Sequence, residues 1–125
     1  MANAVMAPEL RRFVAAKIHS IPMLEALLLV RSRDDGWATV ELAERLYLPE
    51  SKVAQLVADL VREQLARIDS GRACYAPASV EIEQLVDALV ATYSRHVVAV
   101  TELIHSGVGR QARSFADAFV LRRDE

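Results

Sequence analysis

Residues able to do chemistry at a single centre are few in this chain, and they are scattered. It holds three histidines, His19, His96 and His105, and one cysteine, Cys74. His96 and His105 stand nine positions apart, too far for the i, i+4 pair that grips a metal from one helical face. A lone cysteine rules out an intramolecular disulfide and leaves a thiolate cluster without partners in the same chain. Cys74 sits between Ala73 and Tyr75 in a predicted short strand, where a thiol reads as a small buried side chain. The chain carries no phosphate-binding glycine loop, nucleophile elbow or Cys–His pairing. Its carboxylates stand beside arginines, as in Glu44-Arg45 and Arg62-Glu63, the pattern of a solvated helix surface. Neither an enzyme nor a cofactor-binding protein is expected.

The cations tell more through their position than their number. Lys and Arg total 15 against 17 Asp and Glu, a net charge of −2. No global basic field draws the chain to nucleic acid, so any affinity for phosphates has to come from local clustering. Arginines gather at predicted element ends: Arg11-Arg12, Arg31 with Arg33, Arg110 with Arg113, and Arg122-Arg123. The last two follow a predicted helix, whose negative end they suit without any ligand.

These residues need a scaffold, and the composition supplies one. The 125 residues are 53% hydrophobic and only 6% aromatic, with Ala, Val and Leu prominent, which suits one mostly helical domain with a buried core. The start of the chain lacks a basic segment followed by an apolar one. The longest apolar run, Met23 to Val30, is interrupted by Glu25 and too short to span a bilayer. A reducing, cytoplasmic setting with no membrane partner is the expectation.

Apolar spacing of three and four predicts a helix from Pro8 to about Ile18, and a second from Pro22 to Arg31 capped by Ser20. Arg33-Asp34-Asp35-Gly36 reads as a polar turn, and Trp37 as the start of a short extended segment. Thr39 is expected to cap a third helix, with Glu41 in its first turn and Leu42, Ala43 and Leu46 inward. Pro49 stops that helix. A fourth runs from about Glu50 to Gln64, with Val53, Leu56, Val57, Leu60 and Val61 as its apolar stripe. Period two then takes over. Residues 65–69 and 72–76 alternate around Ser70-Gly71, a hairpin signal that Pro77 closes. From Ser79 a long helix is predicted to about Ser106, followed by a break at Gly107–Gly109 and a last helix from Arg110 to Leu121.

Helix, turn, helix and hairpin within forty or so residues resemble the winged-helix domains of bacterial regulators such as the MarR and ArsR groups. The resemblance is carried by Thr39 to Leu46, the turn Tyr47-Leu48-Pro49-Glu50, Ser51 to Leu60, and a wing of Leu65–Asp69 returning through Arg72–Ala76. It implies a mainly α, α+β fold: a winged helix-turn-helix over residues 8–78 with a short hairpin wing, and a C-terminal helical extension over 79–125. It implies a DNA-binding regulator of transcription whose second motif helix enters the major groove. Carried onto this chain, the groove-facing residues are Ser51, Lys52, Gln55, Asp59 and Arg62, with Arg67 and Arg72 neutralising phosphates from the wing. Gln55 suits adenine, and Lys52 guanine or phosphate. Glu50 and Asp59 bracket that stripe with the wrong sign for phosphates. The same scaffold also serves as an adaptor for proteins, for example a component of the transcription machinery, so that alternative stays open.

Ile82, Val86, Leu89, Tyr93 and Val100 fit heptad positions of the long helix, with His96 interrupting one row. A homodimer formed through the N- and C-terminal helices is therefore expected, as reading of two DNA half-sites requires. A third reading is a small-molecule sensor with a pocket lined by Phe13, Trp37, Tyr93 and Phe115.

Overall fold

Helix α2, Ile21–Arg31, packs against α3, α4 and β2, because its sequence leaves it almost no polar side. Met23, Leu24, Ala26, Leu27 and Val30 are all buried, and a helix apolar nearly all round has to be enclosed. Its start is fixed as expected by Ser20, whose hydroxyl accepts from the Met23 N–H at 3.2 Å. The computed structural model describes residues 6–106. Ahead of α2, α1 spans Pro8–Lys17 and turns Leu10, Phe13 and Val14 inward. The two helices are bent by 104° at their junction, and no single helix among the described residues is long and apolar enough to cross a membrane.

Helix α3, Thr39–Leu46, begins one residue earlier in its cap than Thr39 suggests. Ala38 occupies the N-cap position, and the capping hydrogen bond comes from Glu41, whose carboxylate accepts from the Ala38 N–H at 2.8 Å. Tyr47 adopts a left-handed conformation (φ 56°) and the Leu48 N–H returns to the Ala43 carbonyl, which ends the helix. Helix α4, Glu50–Arg62, follows after Pro49. It stops at Arg62, short of the expected Gln64, because Gln64 is itself left-handed (φ 66°). The Leu65 N–H bonds to the Leu60 carbonyl and the Gln64 N–H to that of Val61, a Schellman closure sealed by two buried leucines.

That closure reverses the chain into the hairpin. Strand β1, Ala66–Asp69, pairs antiparallel with β2, Arg72–Tyr75, with Ile68 opposite Ala73 and Asp69 opposite Arg72. Ser70 and Gly71 both have positive φ (53° and 76°), the two-residue turn whose twist matches a hairpin. Trp37 adds a third, one-residue strand on the far side of β2, exchanging hydrogen bonds of 2.9 and 2.8 Å with Ala73. The fold is thus mostly helical with a small antiparallel sheet.

Ser79 caps α5, Val80–Arg95, by accepting from the Ile82 N–H at 3.1 Å. The single long helix expected to Ser106 is not formed. His96 leaves helical geometry (φ −135°, ψ 58°) and a separate α6, Val97–Ser106, follows. The physical reason lies in the core. Val100 and Ile104 are buried in the same apolar cluster as Val86, Leu89, Leu10 and Leu24, so α6 is drawn back onto the molecule rather than continuing outward. The heptad row of Val86, Tyr93 and Val100 therefore does not run along one straight helix. The helix expected over residues 110–121, and Phe115 with it, lies outside the described residues.

Candidate recognition surface

Burial divides α4 into three stripes, since each residue advances about 100° round the helix. Val53, Leu56 and Leu60 face the core. Ser51, Lys52, Gln55 and Arg62 share an exposed side, with half-buried Asp59 among them. Five of the seven residues carried over by the resemblance thus lie on one surface. Asp59 pairs with Arg62 one turn away, so the stripe holds two cations against one carboxylate. Glu50 is rotated off it by about 100°, so only Asp59, of the two acids expected to bracket the stripe, sits on it.

The third stripe is apolar. Ala54, Val57, Ala58 and Val61 line a groove with Ile68 of β1 and the Arg62 stem, enclosing about 420 Å³. Ile68 is 54% exposed although alternation places it on the same side as buried Ala66. The hairpin is thus apolar towards α4 and charged on its other face, where the Arg67 guanidinium donates to Asp69 at 2.8 Å. That hydrogen bond, followed by the charge itself, holds the Asp69 carboxyl below its ordinary range and raises Arg67.

Arg72 is placed differently from the expectation of a phosphate contact. Its guanidinium donates to the carbonyls of Asp35 and Gly36 at 3.0 and 2.9 Å, and to Glu41 at 3.2 Å. Three acceptors hold it against the 33–36 turn, because β2 lies between β1 and Trp37 and points this side chain back over that turn. Sequence reasoning missed the cluster it joins. Glu41 also accepts from Arg33 at 2.8 Å, and the Arg33 guanidinium lies 3.7 Å above the buried Trp37 ring. The Ala38 N–H, then Arg33, keep the Glu41 carboxyl below the ordinary carboxylate range. One signal for it was present: Glu41 follows Ala38 by three residues, the spacing of a capping box.

Phe13 and Trp37 belong to the core, and Tyr93 packs against it. Among the described residues, no group of three or more His, Cys, Asp or Glu is placed to hold a metal ion. No family model, curated protein or solved structure matches the chain.

Proposed function

We propose that the chain is a winged helix-turn-helix regulator of transcription that binds duplex DNA through α4. The observation that carries the reading is the exposed stripe of Ser51, Lys52, Gln55 and Arg62 on a helix set between a tight turn and a hairpin. In this reading α3 and α4 are the motif helices, and β1, β2 and Trp37 make the wing. The Gln55 amide offers the donor and acceptor that adenine presents in the major groove, and Lys52 meets guanine or phosphate. Arg62 reaches a phosphate only in competition with Asp59. The Ser70-Gly71 tip, small and exposed, lies along the backbone.

Titration of labelled duplex DNA at increasing salt tests this reading. Each neutralised phosphate contributes about 0.9 to the slope of log affinity against log salt, so Lys52 and Arg62 predict a slope of roughly 1–2 per protomer. Absence of duplex binding at low ionic strength would overturn it.

A second reading has its own support. Arg67 and Arg72 are committed to carboxylates within the molecule, and the groove beside Ile68 is apolar, features that suit a protein partner. Under that reading the domain is an adaptor for a component of the transcription machinery, and capture succeeds without DNA.

A further inference from the structure

The outer edge of β1 carries unused hydrogen-bonding capacity and a charge pattern that complements itself. In an antiparallel ladder, opposed residues alternate between pairs that exchange both backbone bonds and pairs that exchange none. Ala73 gives both its N–H and its carbonyl to Trp37, so Ile68 opposite it exchanges none with β2. The Ile68 N–H and carbonyl therefore point outward, where, among the described residues, the sheet order β1-β2 places no further strand. Exposed edges of this kind template pairing with another chain unless something blocks them.

We infer that β1 pairs with β1 of a second copy, antiparallel about a two-fold axis at Ile68, to join the two hairpins into one sheet. The charges select this register. Centring on Ile68 sets Arg67 against the partner's Asp69, and Asp69 against the partner's Arg67. Centring on residue 67 or 69 would oppose two arginines or two aspartates, and like charges directly opposite destabilise a pair. Both charged residues lie on one face, so the two internal Arg67–Asp69 pairs become a square of alternating charge. On the other face, Ile68 meets the partner's Ile68 about 5.5 Å away between α-carbons. The two apolar grooves beside α4 then run together, and the exposed isoleucine is covered. A symmetric patch that contacts itself is what a closed two-fold dimer requires. This interface differs from one through α5 and α6, and it does not rest on α4 binding DNA.

Sedimentation velocity of the full chain from ~10 µM to ~1 mM, without DNA, tests it. The expected result is a mass rising from monomer towards dimer. Arg67→Asp or Asp69→Arg alone weakens the dimer at least about tenfold, since each creates two repulsive pairs. The double variant, Arg67→Asp with Asp69→Arg, restores association to within about threefold of the unaltered chain, because the swap regenerates every pair. Circular dichroism melts confirm that each variant folds. A monomer throughout the range overturns the inference, as does a dimer indifferent to the single reversals or a double variant that stays monomeric. Loss of DNA binding with the dimer intact would count against the proposed function and leave this interface standing.

Discussion

Glu41 and Arg72 meet at 3.2 Å across 31 positions of sequence, tying the first turn of α3 to β2. The same carboxylate accepts from Arg33 and from the Ala38 N–H, so one side chain caps a helix and anchors the sheet. Glu41→Gln keeps the size and one acceptor but removes the charge both arginines share. It is expected to lower the melting temperature by about 4 °C near neutral pH. The pH dependence has a definite sign. Because the folded carboxyl titrates below its unfolded value, its contribution is complete above ~4.3 and lost as pH falls through the folded value. The gap between the unaltered chain and Glu41→Gln should therefore close in acid. Differential scanning calorimetry from neutral pH to ~3 checks it, and an undiminished gap at the acid end would assign the loss to shape rather than charge.

Gly36 and Gly71 separate two costs that glycine substitutions usually mix. Both have positive φ, 78° and 76°. A Cβ on Gly36 would lie 2.8 Å from the Cys74 sulfur and 3.1 Å from the Arg72 Cβ, whereas one on Gly71 meets nothing within 4 Å. Gly71→Ala should cost about 1 kcal/mol, the strain of the left-handed backbone alone. Gly36→Ala adds overpacking against β2 and should cost ~2–4 kcal/mol. Urea unfolding of the two variants measures the difference; equal losses would show that the turn yields around the added methyl.

What the sequence made legible follows from the range of each interaction. Ser20 and the Ser70-Gly71 turn act within four residues, and both are where local chemistry puts them. Thr39 misled because a nearby carboxylate, Glu41, took over the capping role. The break at His96 carries neither glycine nor proline; it comes from burial of Val100 and Ile104 in a core assembled from distant helices. The same distinction runs through the candidate site. The α4 stripe was readable because helical period alone aligns Ser51, Lys52, Gln55 and Arg62. The commitment of Arg72 was not, since its acceptors lie more than thirty residues away.

The hairpin turn offers a gain in stability. Ser70 holds φ at 53° in the first position of a turn that asparagine enters more readily. Ser70→Asn should stabilise the protein by roughly 0.5 kcal/mol, with the hairpin register unchanged. Ser70→Pro, whose ring fixes φ near −65°, should destabilise it by well over 1 kcal/mol. Thermal melts of the pair give the test, and a neutral proline would mean that the turn is not formed this way in solution.

Asp59 and Arg62 offer the sharpest test of the DNA reading, because their ion pair competes with any phosphate for the arginine. Asp59→Asn releases Arg62 and removes the one acidic charge on the stripe. Duplex affinity should rise about fivefold, and the salt slope should steepen by a little under ~1 as Arg62 becomes a full phosphate contact. Lys52→Ala should act in the opposite direction, weakening binding about fivefold on all sequences if it meets phosphate, and selectively if it meets guanine. Gln55→Ala should leave the salt slope unchanged while relaxing discrimination at one base pair. Fluorescence anisotropy with a random duplex pool and a selected site separates these outcomes. If Asp59→Asn leaves affinity and slope where they were, Arg62 does not touch DNA, and the polar stripe of α4 is a solvated face.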